Sequence, residues 1–394
     1  MGWIKNIDKK NILTLLLSII VSIFILELFL KVYNPFQFRV KGNRIILQSN
    51  AKYTVKNHTI PKLDKVIVHT KNSLGFRGSE PPQNFDEYLS IITIGGSTTE
   101  CRLLSDCKDW ANILKRELDN SFKKVWLNNA GLDGHTTFGH TVLMEDYVTK
   151  KYKPKIVLFL IGLNDTGRKK LSTFDKYNVK REKDETIAEY FKSKVNLLAE
   201  YSEILNSIIG IYRYNQARRG ELTHRPINLL EYKQAEISED KSQQLIKKHT
   251  EDYLPYYKKR LKYLVELSKN NGIEPILITQ PVLFGDAIDD VTGVNLAKIS
   301  TGKVSGEINW EMDINGEVSW KVLELYHSIT REVGKEEDVL VIDLAKEMPK
   351  SSKYYYDFVH YTNEGAEVVG KIVYKYMCPF IQNKFPEYSL GGCK

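Results

Sequence analysis

The chain has 394 residues, 42% of them hydrophobic and 27% charged, and a formal net charge of +8. These values suit a folded protein and exclude a disordered, collagen-like or polytopic membrane chain. Part of the excess sits in residues 1–39, where Lys5, Lys9, Lys10, Lys31 and Arg39 face only Asp8 and Glu27. What remains is too small to argue for a nucleic-acid partner.

The first element is an apolar run, Ile12 to Leu30, interrupted only by Thr14, Ser18, Ser22 and Glu27. As a helix it rises roughly 28 Å, close to the thickness of a hydrocarbon core. Lysines precede it and no small-x-small cleavage site follows. Residues 12–30 therefore read as an uncleaved membrane anchor rather than a removed signal peptide. Glu27 lies one turn from the end of the run, where its carboxylate can reach the interface. Basic residues on the two sides nearly balance, so charge orients the span only weakly. The single span and the cysteine pattern favour a short cytoplasmic tail and an exported body. The expected division is a tail and anchor over 1–33, a connecting segment over 34–85 and a main domain over 86–394. Turn signals at Gly42-Asn43, Gly75 and Pro81-Pro82 mark the connecting segment.

Within the main domain, β-branched apolar runs at Leu89–Gly95, Val125–Asn129, Ile156–Ile161, Glu274–Thr279 and Val339–Leu344 read as strands. Amphipathic stretches read as helices over Trp110–Phe122, Thr137–Tyr152, Tyr253–Lys269 and Val318–Val333, with a last one over Asn363–Met377. Strands alternating with helices imply an α/β fold with a parallel sheet covered on both faces. Two stretches break the alternation. Residues 167–250 are charged, tyrosine-bearing and largely helical in character, and 283–320 are rich in Gly and Asp. Both read as insertions. The four cysteines show no zinc-type spacing, so no structural metal is expected. Cys101 with Cys107, and Cys378 with Cys393, suit two short disulfide loops, with reduced thiols as the alternative.

Polar residues gather where the strands end, which is where open α/β sheets place their sites. Leu89–Gly95 runs into Gly96-Ser97-Thr98-Thr99, a tight turn that presents a serine beside free backbone N–H groups. It fits neither the phosphate-loop pattern nor the G-x-S-x-G elbow. The next strand ends in Asn129-Ala130-Gly131-Leu132-Asp133-Gly134, and the third in Gly162-Leu163-Asn164-Asp165. Ahead of the last helix, Asp357-Phe358-Val359-His360 puts a carboxylate and an imidazole three apart in one turn. A carboxylate so placed fixes the tautomer and orientation of the ring.

These four blocks, in this order and on these strand ends, resemble the SGNH (GDSL-like) hydrolase superfamily, including its membrane-anchored bacterial members. The resemblance covers roughly residues 88–166 and 338–378. It departs at one point, since the Asp that precedes the family's serine is Gly96 here. It implies a three-layer α/β/α fold with a five-stranded parallel sheet and a serine esterase activity. Ser97 is the implied nucleophile, His360 the general base and Asp357 its orienting acid. The implied oxyanion donors are the backbone N–H groups of Ser97 and Gly134 and the side-chain amide of Asn164, with no metal and no cofactor. The implied substrate is an acylated carbohydrate or other small ester outside the cytoplasm, an O-acetyl group being the leading choice. The alternatives are an O-acyltransferase using the same serine, a lipid esterase, and a non-catalytic carbohydrate-binding component of an export assembly.

Other polar and aromatic residues have plainer readings. His135 and His140 read as surface residues, and Arg168 as part of a solvated insertion rather than an anion contact. Asp343 suits a turn as well as the site. Trp310, Trp320 and Tyr354-Tyr355-Tyr356 suit packing of the insertions better than a sugar-stacking platform. The site's expected walls, Asp133–Thr137, Asp165–Lys170 and Phe284-Gly285-Asp286, are polar and favour a small acyl group.

Overall fold

The computed structural model describes residues 9–36, 38–42, 44–169, 187–219, 224–302 and 314–393. They gather into two units. One joins the N-terminal residues through 46 with residues 180–223, and the other comprises 47–179 and 224–394.

The larger unit is built on a five-stranded sheet. Its spatial order is Val341–Ile342, Glu274–Thr279, Ile156–Ile161, Leu89–Gly95, Val125–Asn129, and every neighbouring pair is parallel. Ile91 aligns with Leu127 on one side and with Ile156 on the other. Adjacent residues point to opposite faces, and both faces are apolar. Ile91 and Leu158 pack with Ile113, Leu114, Val369 and Val373 of the helices Trp110–Asp119 and Asn363–Lys384. Ile92 and Val157 pack on the opposite side with Leu261, Leu264 and Tyr326 of Leu254–Lys269 and Gly316–Glu336. This is a three-layer α/β/α fold. The chain leaves Leu89–Gly95 for one neighbouring strand and later returns to fill the other side. The order therefore reverses between Leu89–Gly95 and Ile156–Ile161, a crevice-forming position.

Four strands have the bounds expected from the sequence. The fifth is only Val341–Ile342, because the chain turns at Asp343, whose carboxylate accepts from Thr279 and Arg331. The last helix continues through Pro379 to Lys384, beyond the expected end at Met377. The helix beginning at Thr137 passes through a π-turn, Met144–Val148. In the connecting segment, Ala51–Lys56 and Val66–Lys71 form an antiparallel hairpin. The second insertion ends inside a helix that starts at Gly316, and Trp310 lies outside the described residues.

One disulfide is as expected and one is not. Cys378 is bonded to Cys393, but Cys101 and Cys107 are free thiols. Cys101 turns inward and donates to the Thr98 carbonyl at 3.2 Å, whereas Cys107 is exposed. Burial pushes the Cys101 thiol well up, so it stays protonated.

The smaller unit contains the apolar helix Lys9–Val32, long enough to cross a membrane, a two-residue β-hairpin at Val40–Lys41 and Arg44–Ile45, and the helices Ile187–Ala199 and Glu203–Arg219. The stretch expected as one insertion over 167–250 is therefore shared between the two units.

Candidate active site

Ser97 opens the short helix Ser97–Glu100 directly after Leu89–Gly95. The glycines before it serve close approach. A Cβ on Gly95 would lie 2.1 Å from the Thr99 hydroxyl oxygen, and one on Gly96 2.4 Å from the Asn164 amide nitrogen. The turn is held from several sides. Thr98 donates to Gln280 at 2.8 Å, and Asn129 donates to the Thr99 carbonyl at 2.6 Å. Below it lies Arg77, fully buried, whose guanidinium donates to the carbonyls of Glu100, Cys101 and Leu104.

Asp357 and His360 come from the loop before the last helix. Asp357 Oδ1 accepts the N–H groups of Val359 and His360 at 2.8 and 2.7 Å, an Asx-type turn. Its Oδ2 meets His360 Nδ1 at 2.6 Å, and His360 Nε2 meets Ser97 Oγ at 2.7 Å. Three residues from two distant segments thus form one continuous hydrogen-bonded chain. Burial pushes the Asp357 carboxyl up, but His360 and the two amides outweigh it and hold the carboxyl below its ordinary value.

Gly134 and Asn164 flank the serine turn. Gly134 has φ +77°, the left-handed region, and open space where a Cβ would stand. Its glycine is required by backbone conformation. Asn164 donates its amide to the His135 carbonyl at 2.9 Å, and its own carbonyl accepts Arg168 Nε at 2.7 Å. Arg168 thus braces Asn164. The helix beginning at Thr137 is fixed beside it, since Asp165 accepts from Thr137 and from buried Arg260. His135 and His140, expected on the surface, are buried, His135 in the turn before the helix Thr137–Leu143 and His140 within that fully buried helix.

Sequence reasoning missed His224. It reaches in from the insertion, its ring 4.0 Å from that of His360. Nδ1 pairs with the Tyr356 hydroxyl at 2.8 Å and Nε2 with Asp133 at 3.3 Å. Tyr356 in turn stacks on His360, ring centroids 5.6 Å apart. The sequence around His224 carries no strand, helix or motif signal that could have found it. His224, Asp357 and His360 bring potential metal-ligand atoms within 4.8 Å of one another, but Asp357 and His360 are already committed to each other. A cation there would have to break that bond.

The space left beside Ser97 is about 10 Å³, the size of one water. Leu103, Leu104, Tyr356 and Tyr361 line it, so this part of the wall is apolar and comes from the turn after Ser97 and the loop around His360. Phe284, expected in the wall, is buried against Phe358, and Trp320 packs under Lys350.

No protein-family model matches the chain, and no curated protein matches it. Solved structures similar to it include a putative lipolytic protein of the G-D-S-L family from Desulfitobacterium hafniense, at 13% identity and TM-score 0.37. That match covers 73% of this chain and 98% of the other. A lipase/acylhydrolase from Enterococcus faecalis shows 15% identity and TM-score 0.38, over 73% and 95%. An acetylxylan esterase from Geobacillus stearothermophilus shows 14% identity and TM-score 0.39, over 72% and 92%.

Proposed function

We propose that this chain is a membrane-anchored serine esterase of the SGNH type that removes a small acyl group, an O-acetyl, from a carbohydrate outside the cytoplasm. The observation that carries the reading is the chain of contacts from Ser97 through His360 to Asp357 at the sheet's reversal point. A binding module has no use for that arrangement.

Ser97 Oγ attacks the ester carbonyl while His360 Nε2 takes its proton. Asp357 holds the ring in the needed tautomer and stabilises the imidazolium. The oxyanion meets the N–H groups of Ser97 and Gly134 and the amide of Asn164, each such donor supplying about 3 kcal/mol in the transition state. His360 then protonates the leaving alkoxide as the C–O bond breaks, giving an acyl-serine. Water, deprotonated by His360, attacks the acyl carbon and releases the acid and Ser97. The Cys378–Cys393 bond supports an oxidising compartment.

A fluorophosphonate probe should label Ser97 in the wild type and nothing in Ser97→Ala. On p-nitrophenyl esters, kcat/KM should peak at acetate and fall through butyrate to octanoate. Labelling elsewhere overturns the nucleophile, and a profile rising toward octanoate overturns the acyl class.

A further inference from the structure

The helices Ile187–Ala199 and Glu203–Arg219 are inside out for water. Between them and the juxtamembrane residues they bury Asn196, Asn206 and Ser207. These polar groups are used: Asn206 accepts the Gly42 N–H at 3.3 Å, and Asn196 accepts Arg213 at 3.0 Å. The solvent face is mostly apolar, with Lys194 and Asn215 among its exposed residues. Phe191, Val195 and Leu198 recur at helical spacing on one helix, and Ile208, Ile211 and Tyr212 on the other, each 42–64% exposed. In water, a helix pair gains by burying such stripes and exposing asparagine, so this arrangement needs an apolar medium outside it.

Glu27 gives the location of that medium. Its carboxylate accepts the backbone N–H groups of Glu203 and Ile204 at 2.7 and 3.2 Å and the Ser202 hydroxyl at 3.0 Å. An acidic residue inside the apolar run thus caps the helix Glu203–Arg219, satisfying amides that its first turn leaves open. Glu27 lies three residues before the end of the run, roughly 4.5 Å along the helix. The hairpin therefore begins within one turn of the run's end.

Resting on the reading of residues 12–30 as a membrane anchor, we propose that the exposed face of this hairpin lies in the lipid–water boundary of the bilayer the anchor crosses, with Glu27 as its docking point. Interfacial helices carry this chemistry, apolar and aromatic side chains toward lipid, tyrosine among them. Continuity with the anchor singles out lipid over a second copy of the chain.

The test is labelling of the full chain in mixed phosphatidylcholine–phosphatidylglycerol vesicles by a lipid-soluble diazirine, with labelled residues located by mass spectrometry. Label on residues 12–30 and on Phe191, Leu198 and Ile208 is the expected result. Label on 12–30 alone, with or without cross-links between copies, overturns the hairpin's place and leaves the anchor standing. Label on neither overturns the anchor as well. In Glu27→Leu, label on the hairpin should fall about fivefold while label on the anchor persists, the ratio a lost cap corresponds to. Unchanged hairpin label there overturns the docking role of Glu27.

Discussion

Two helix pairs in this chain solve opposite problems. Leu254–Lys269 and Gly316–Glu336 bury Leu261, Leu264, Tyr326 and Val333 against the sheet and turn Lys258 and Lys262 outward to Glu332 and Glu336. Ile187–Ala199 and Glu203–Arg219 bury asparagine and serine and turn isoleucine and phenylalanine outward. Amphipathicity therefore does not by itself identify a core face. Which face is inside depends on the medium outside, and the two pairs imply water for one and lipid for the other.

The proposed chemistry lies in the larger unit, and the sharpest test is there. His360→Ala should lower kcat/KM by about four orders of magnitude or more, as loss of a relay base does. Its fold should survive, because the Asp357 carboxylate that loses the imidazole keeps the backbone N–H groups of Val359 and residue 360. Retention of a tenth of the activity would break the assignment.

The next effect separates the two interiors. Leu264→Ala should cost the body about 2–5 kcal/mol by urea titration, since it empties a packed position. Ile208→Ser on the hairpin, measured in detergent, should change stability by less than about 0.5 kcal/mol. Equal losses would mean that Ile208 is a core residue and the inside-out description fails.

The smallest effect is one of pH. His69 and His249 are held neutral by burial, with Arg77 and Lys71 adding to it for His69 and Lys248 for His249, each lowered to about 4. The unfolded chain protonates these groups first, near 6.5. Stability is therefore full above that value and declines as pH falls from 6.5 toward 4. All eight histidines lie outside the stretches 1–46 and 180–223, so the decline belongs to the body. The thermal midpoint should fall between pH 7 and 4.5 in the body, with hairpin labelling by the diazirine unaffected over the upper part of that range. A midpoint that rises on acidification would refute the buried neutral state of both rings.

The sheet was legible because strands buried on both faces leave uninterrupted apolar runs, and four of the five have the bounds the runs suggest. Ser97, Asp357 and His360, singled out by the resemblance of their blocks, meet in one hydrogen-bonded chain, while the roles assigned to them and to Gly134 and Asn164 belong to the proposed function. What escaped depends on tertiary closure. His224 enters from a segment with no periodicity, and its partner Asp133 lies in sequence far from it. The Cys101 thiol faces inward because its turn is clasped by a guanidinium, something spacing to Cys107 cannot reveal. The Glu27 carboxylate read as an interfacial group, while its partners lie some 175 positions further on.

Arg77 has a practical consequence for anyone wishing to excise the larger unit. Judged by its blocks, that body begins near residue 86, and everything earlier looks disposable. Yet Arg77 is fully buried, exchanges backbone hydrogen bonds with Asn129 and pairs with Asp109 at 3.3 Å. Trimming it away would leave the buried Asp109 carboxylate without its cation and the carbonyls of Glu100, Cys101 and Leu104 without their donor, a penalty of several kcal/mol. A version of the larger unit alone should therefore start near Leu47, keep residues 47–85 of what looks like a tether, and leave out residues 180–223, which belong with the smaller unit.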